Sequence, residues 1–304
     1  MAGKNLSDSS EGLPIGSVYA FLRERPSYRR KLVTLPPVVV LGAFFFAPLV
    51  IMLYYSLRTG TTGSASFTIA NYATIAQSVY GVVIWRTTVL TVQTTVIVTL
   101  VGYTLAYSTV RFTKRTTLVL LLVILPFWTN YIIRMYAWMN ILQHGGALGS
   151  MLQAMNLVQE PVGFLYTGNA VLIGFSYIWL PLAVLPFYAT LSDLEEDLIE
   201  AAKDLGSGPI KTFFSVTLPL TKGGLIAGII LVAIPKFGSF ITPALLGGTN
   251  VTMVGMLIES QFNQAFNWSF GSALGIFVSA LVVVLLLIGI LLGGSGFFGS
   301  GDVE

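Results

Sequence analysis

The stretch TLSDLEEDLIEAAKDLGSGPIKTFFSVTLPLTKGG, residues 190–224, decides how the rest of the chain is read. It is the one place where charge accumulates, with six of the 13 acidic residues: Asp193, Glu195, Glu196, Asp197, Glu200 and Asp204. Ser192 and Glu195 stand at S-x-x-E spacing, which predicts a capping box, and the acids beyond them lie where a helix dipole favours them. Leu191, Leu194, Leu198, Ala201 and Leu205 recur at three- and four-residue intervals and predict an apolar stripe. Gly206-Ser207-Gly208-Pro209 then breaks that helix, and Pro209 suits the first position of a second one, with Ser207 or Gly208 as its cap. Two readings fit this helix, glycine turn and helix: a hairpin resting on its own protein, or a projecting lever that another protein pushes.

The surroundings are apolar. Of 304 residues, 55% are hydrophobic and 10% charged, and the mean hydropathy is +0.81. A soluble domain carries about 25% charged residues, so a soluble enzyme, a nucleic-acid binder and a disordered scaffold are excluded. Stretches of roughly 20 apolar residues, enough to cross a bilayer, fall at 33–57, 82–110, 116–139, 170–189, 225–246 and 271–292. Arg23, Arg25, Arg29, Arg30 and Lys31 precede the first. Arg111, Lys114 and Arg115 separate the second from the third, and Lys203, Lys211 and Lys222 separate the fourth from the fifth. The other side has Arg58 and no Lys or Arg in 140–169 or 247–270. The positive-inside rule therefore places both termini and residues 190–224 in the cytoplasm.

The expected architecture is an all-α, multi-pass integral membrane protein with six transmembrane helices over residues 31–292. Residues 1–30 form a cytoplasmic N-terminal segment. Its stretch 15–22 has helical apolar spacing and fits a short helix on the membrane surface or an unordered tail. Residues 293–304 are glycine-rich and read as a loose tail. The first apolar block comes too late for a cleavable leader. Trp85, Trp128, Trp138, Trp179 and Trp268 mostly fall near span ends, as interfacial anchors do. There is no cysteine and one histidine, His144, so no thiolate or histidine metal site is expected.

Residues 200–220, EAAKDLGSGPIKTFFSVTLPL, resemble the EAA motif of permease subunits of ATP-binding-cassette importers. Glu200, Ala201, Ala202, Gly206, Leu218 and Pro219 match it, and Asp204 lies within it. The resemblance implies a type I importer permease fold in which 190–220 is a coupling loop seated on a cytoplasmic ATPase. PFWTNYIIRMYAW (126–138), LPFY (185–188), LPLTKGGLIAG (218–228), GGTNVTMVGMLIESQF (247–262) and WSFGSALG (268–275) are similar to spermidine/putrescine importer permeases, nearest to the first of their two permease subunits. This implies polyamine import by alternating access. The implied partners are an ATPase dimer, a second permease subunit and an extracytoplasmic substrate-binding protein docking on 140–169 and 247–270. No cofactor is expected in this chain, ATP and Mg being held by the ATPase. No phosphate loop is present; GSGPIKT at 206–212 has Ile210 where that loop needs glycine. No pair of acids sits in a span to carry protons, and nothing suggests an intramembrane protease, so the chain reads as a transporter and not an enzyme.

Charges within the spans are costly, so each wants a reason. Arg86 suits the outer interface by snorkelling, and Arg134 fits either an interface or the pathway. Lys236 follows Pro235, whose ring removes a helix hydrogen bond; the pair is a pathway candidate. A lysine would repel a polyamine, and the family more often has a small apolar residue there. The acids available outside are Glu160 and Glu259, and Trp128, Tyr131, Tyr136 and Tyr177 offer faces for cation–π contacts. The same architecture carrying an anionic solute is one alternative; a stand-alone channel or carrier is the other.

Overall fold

The computed structural model describes residues 26–60, 66–160 and 162–293. The surface helix expected at 15–22 and the tail expected beyond Gly293 lie outside them. The described residues are helical but for loops and one isolated bridge, Arg58 to Phe67. The chain forms two compact units, residues 1–54 and 55–304. The first holds most of α1 (Pro26–Ser56), a long apolar helix that tolerates Pro36, Pro37 and Pro48.

The second unit is built on α3 (Ser78–Phe112) and α7 (Gly168–Ser192), after a short α2 (Ala70–Ile75). At 1.5 Å per residue, the 35 residues of α3 run about 52 Å, well beyond a hydrocarbon core of about 30 Å. α3 and α7 pack lengthwise through Val98, Tyr103, Ala106, Val184 and Phe187. α10 (Lys222–Gly238) lies against both, and α12 (Trp268–Gly293) against α10. Gly228 makes this closeness possible: a Cβ there would overlap the Phe187 ring. A second core, around Met135, Leu142, Phe175, Leu246 and Met253, joins α7 to α5 (Tyr131–Leu142) and to the turn 243–247.

Four helices are continuous and apolar enough to cross a membrane: Thr34–Ser56 within α1, α3, α7 and α12. The third and fifth expected spans are instead broken. α4 (Thr116–Trp128) meets the segment from Tyr131 to Ala154, which comprises α5 and α6 (Ala147–Ala154), at 95°. Pro126 tightens the end of α4 to a 3₁₀ turn, and Asn130 opens α5 by accepting from Ile132 N–H. The fifth span does not run to 246: α10 ends at Gly238, Ser239 is extended, and Pro243 starts a separate wide turn. Loop 247–270 is not irregular throughout, since α11 (Val254–Asn263) occupies it.

Candidate functional site

The hairpin at 190–220 forms, with corrections to its details. Ser192 is the last residue of α7 and its hydroxyl donates to Ala189 O, so the expected capping box is absent. α8 (Glu196–Asp204) starts after Glu195 instead, with Glu196 and Asp197 in its first turn and Lys203 in its last, all matched to the helix dipole. Gly206 closes it at φ +78°, where Gly206 N–H reaches Lys203 O (2.8 Å) and Ser207 N–H reaches Ala202 O (3.0 Å). This is a Schellman stop, and a β-carbon at that φ is strained. Gly208 caps α9 (Pro209–Leu220), which widens to a π turn at 213–217 and meets α10 at 68°. Leu218 and Pro219 lie at that end.

The expected leucine stripe is not the packed face. Ile199 is the buried residue of α8, whereas Leu198 and Leu205 are 43% and 87% exposed. The inner face, Glu196, Ile199, Glu200 and Lys203, borders a cavity of about 390 Å³ against Tyr107 and Arg111 of α3. Arg111 Nη1 donates to Glu196 Oε1 at 3.5 Å. Held this way, the hairpin turns Leu198, Leu205, Ile210 and Phe214 outward as an exposed apolar set, the kind of patch that marks an interaction surface.

Besides the bond from Arg86 to Asn250 O, three hydrogen bonds tie α3 to the chain beyond the hairpin. Tyr103 and Thr221 hydroxyls meet at 2.7 Å, Lys236 Nζ donates to Thr95 Oγ1 at 3.1 Å, and Val254 N–H donates to Thr87 Oγ1 at 2.9 Å. Lys236 is completely buried, and Thr95 is the partner of its ammonium. Thr91, one turn away, is buried with its hydroxyl unpaired among the described residues.

The other pathway candidates do not form one group. Tyr131 and Pro235 share a cavity of about 180 Å³ with Trp179 and residues 238–241, and Tyr131 OH is 2.6 Å from Thr242 Oγ1. Tyr177 packs on Trp138. Trp128 and Tyr136 are exposed. Arg134 lies over the Phe127 ring at 5.3 Å, with Nε and Nη1 buried and unpaired among the described residues. Glu259 accepts from Asn263, Arg86 donates to Asn250 O, and Glu160 is exposed. Sequence pattern does not single out Trp179, Thr95, Thr221 or Thr242 as site residues; the signal for Thr95 is its place in the row Thr87, Thr88, Thr91, Thr94, Thr95 and Thr99. Among the described residues no cluster of acids and histidine could hold a metal.

Long apolar helices, two broken ones and a charged hairpin between crossings define a multi-pass membrane transport subunit. Residues 99–294 match the family described as binding-protein-dependent transport system inner membrane component, and the chain belongs to that family. It is 39% identical over 242 residues to the spermidine/putrescine transport system permease protein PotB of Haemophilus influenzae, covering 79% of this chain and 85% of that protein. It is 33% identical over 249 residues to PotB of Escherichia coli K12, covering 81% and 90%. In fold it resembles the crystal structure of a bacterial ABC transporter involved in import of the acidic polysaccharide alginate, with TM-score 0.70, 15% identity, and coverage of 91% and 98%. The protein is therefore an ABC importer permease of the membrane.

Proposed function

We propose that this permease passes spermidine and putrescine across the membrane by alternating access, driven by a separate ATPase pair. The substrate reading is carried by the 39% identity to a spermidine/putrescine permease over 79% of the chain. The drive is supported by the hairpin: a Schellman stop at Gly206 and a proline start at Pro209 make a stiff lever with its leucines facing outward. ATP and Mg belong to the partner ATPase, which seats this lever and that of a second permease subunit. Residues 140–169 and 247–270 receive a loaded binding protein on the opposite side.

Motion of α9 reaches α10 directly through the 68° bend and reaches α3 through Tyr103–Thr221 and Thr95–Lys236. Lys236, buried and bonded to Thr95, acts as a strut between helices and not as a direct contact for the solute. Tyr131 and Trp179, beside Pro235, offer aromatic faces to an ammonium at about 0.5–2 kcal/mol each. Uptake of labelled spermidine and putrescine by cells with and without the gene, with ATP depletion as control, tests the reading. Loss of uptake on deletion supports it, and unchanged uptake of both compounds refutes the polyamine assignment.

A further inference from the structure

The cavity between the end of α3 and the hairpin has a lining that a docking lever does not require. Two bases, Arg111 and Lys203, and two acids, Glu196 and Glu200, border it, with Tyr107 and Phe112 beside them. Glu196 takes only one edge of the Arg111 guanidinium, at 3.5 Å, while Arg111 Nη2 is buried and without a partner among the described residues. Guanidinium offers five donors, and the single 3.5 Å contact to Glu196 leaves donors of the partly exposed Arg111 side chain unused. Neither Glu200 nor Lys203 forms a side-chain hydrogen bond or ion pair among the described residues.

The position narrows the ligand. Arg111 lies in the last turn of α3, with Lys114 and Arg115 just beyond, so the cavity opens at the level of lipid headgroups. A free polyamine would meet Arg111 and Lys203, and a free phosphate would meet Glu196 and Glu200. A group that carries both signs satisfies all four, and Phe112, 78% exposed, offers a surface for an attached acyl chain. The volume of about 390 Å³ lies within the usual ligand range of about 300–1,000 Å³.

We propose that this cavity binds the phosphoethanolamine headgroup of a membrane phospholipid, its phosphate on Arg111 and Lys203 and its primary ammonium on Glu200. The lipid bridges α3 to the inner face of the hairpin and ties the lever to the membrane surface. The site is independent of which solute is carried.

The test uses the assembled transporter in nanodiscs that contain phosphatidylglycerol with either phosphatidylethanolamine or phosphatidylcholine. Phosphatidylcholine has the same phosphate but an ammonium without N–H. Native mass spectrometry then reads the lipid retained on the permease. The expected result is retention of phosphatidylethanolamine several-fold over phosphatidylcholine. Arg111→Gln is expected to lose both lipids, and Glu200→Gln to lose only the preference between them. If Arg111→Gln does not fold, Lys203→Gln reads the phosphate half. Equal retention of the two lipids by the wild type overturns the proposal, as does retention indifferent to Arg111→Gln and Lys203→Gln. Displacement of the lipid by added spermidine, abolished by Glu200→Gln, would assign the cavity to a polyamine and overturn it as well.

Discussion

Gly206 and Lys236 are single residues whose local chemistry makes sharp demands. At φ +78° with open space around its α-carbon, Gly206 rejects a side chain through backbone strain alone, roughly 1–2 kcal/mol. Gly206→Val is therefore expected to insert and fold, since the strain is local and solvent-facing, yet to lose ATP-driven uptake because α8 and α9 no longer hold their angle. Gly206→Asn, which tolerates this region, is expected to retain most uptake. Transport assays alongside membrane abundance check both. Lys236 makes the opposite kind of demand. Thr95→Val leaves a buried ammonium without its hydroxyl and is expected to cost about 1–3 kcal/mol. Lys236→Met removes the charge with little change of shape and is expected to be neutral or stabilising. Thermal unfolding in detergent should rank Thr95→Val below both wild type and Lys236→Met. If Lys236→Met were the less stable of the two, the strut would owe its stability to the charge.

At the level of elements, the sequence shows what is local and misses what depends on a neighbour. Gly206 and Pro209 are legible because turn geometry and a missing N–H act within a few residues. Apolar length locates the four continuous helices long enough to cross a membrane, but hydropathy does not register where Asn130 caps α5 or where Ser239 ends α10. The packed face of α8 is hidden for a similar reason. Leu198 and Ile199 are equally apolar, and the return of α9 against α8, not residue type, sets which of them is buried. Lys236 is conspicuous in the sequence, but its partner is not, because 141 residues separate it from Thr95. Close packing can be tested at Gly228. Gly228→Leu forces α10 away from Phe187, and overpacking of this kind costs about 1–3 kcal/mol. Lower yield of folded protein is expected, with partial rescue by Phe187→Ala. Full yield from the single variant would mean that α10 and α7 are not in close contact.

For the whole molecule, the distribution of charge predicts which surface faces which compartment, and the broken helices make that prediction worth testing. Lys114, Arg115, Lys203, Lys211 and Lys222 cluster at one end, by the hairpin, while 140–169 and 247–270 carry no Lys or Arg. The 95° break after Trp128 turns the chain inside an apolar region, so counting spans by length alone does not establish the sidedness of α6. Absence of cysteine gives a background free of native thiols for a direct answer. Single cysteines at Ser207 and Lys114 are expected to react with a membrane-impermeant maleimide only in inverted vesicles. Cysteines at Gln153 and Asn263 are expected to react only in intact cells or spheroplasts. If cysteine at Gln153 instead labels with the Ser207 set, α4 and α5 form a re-entrant pair that returns to its starting side. α7 would then have to begin and end on one side of the membrane. Its 25 residues form a single helix, which at 1.5 Å per residue runs about 38 Å and cannot fold back on itself. Labelling of Gln153 from outside is therefore the outcome that an unbroken α7 demands, and it makes α4 and α5 together one full, bent crossing.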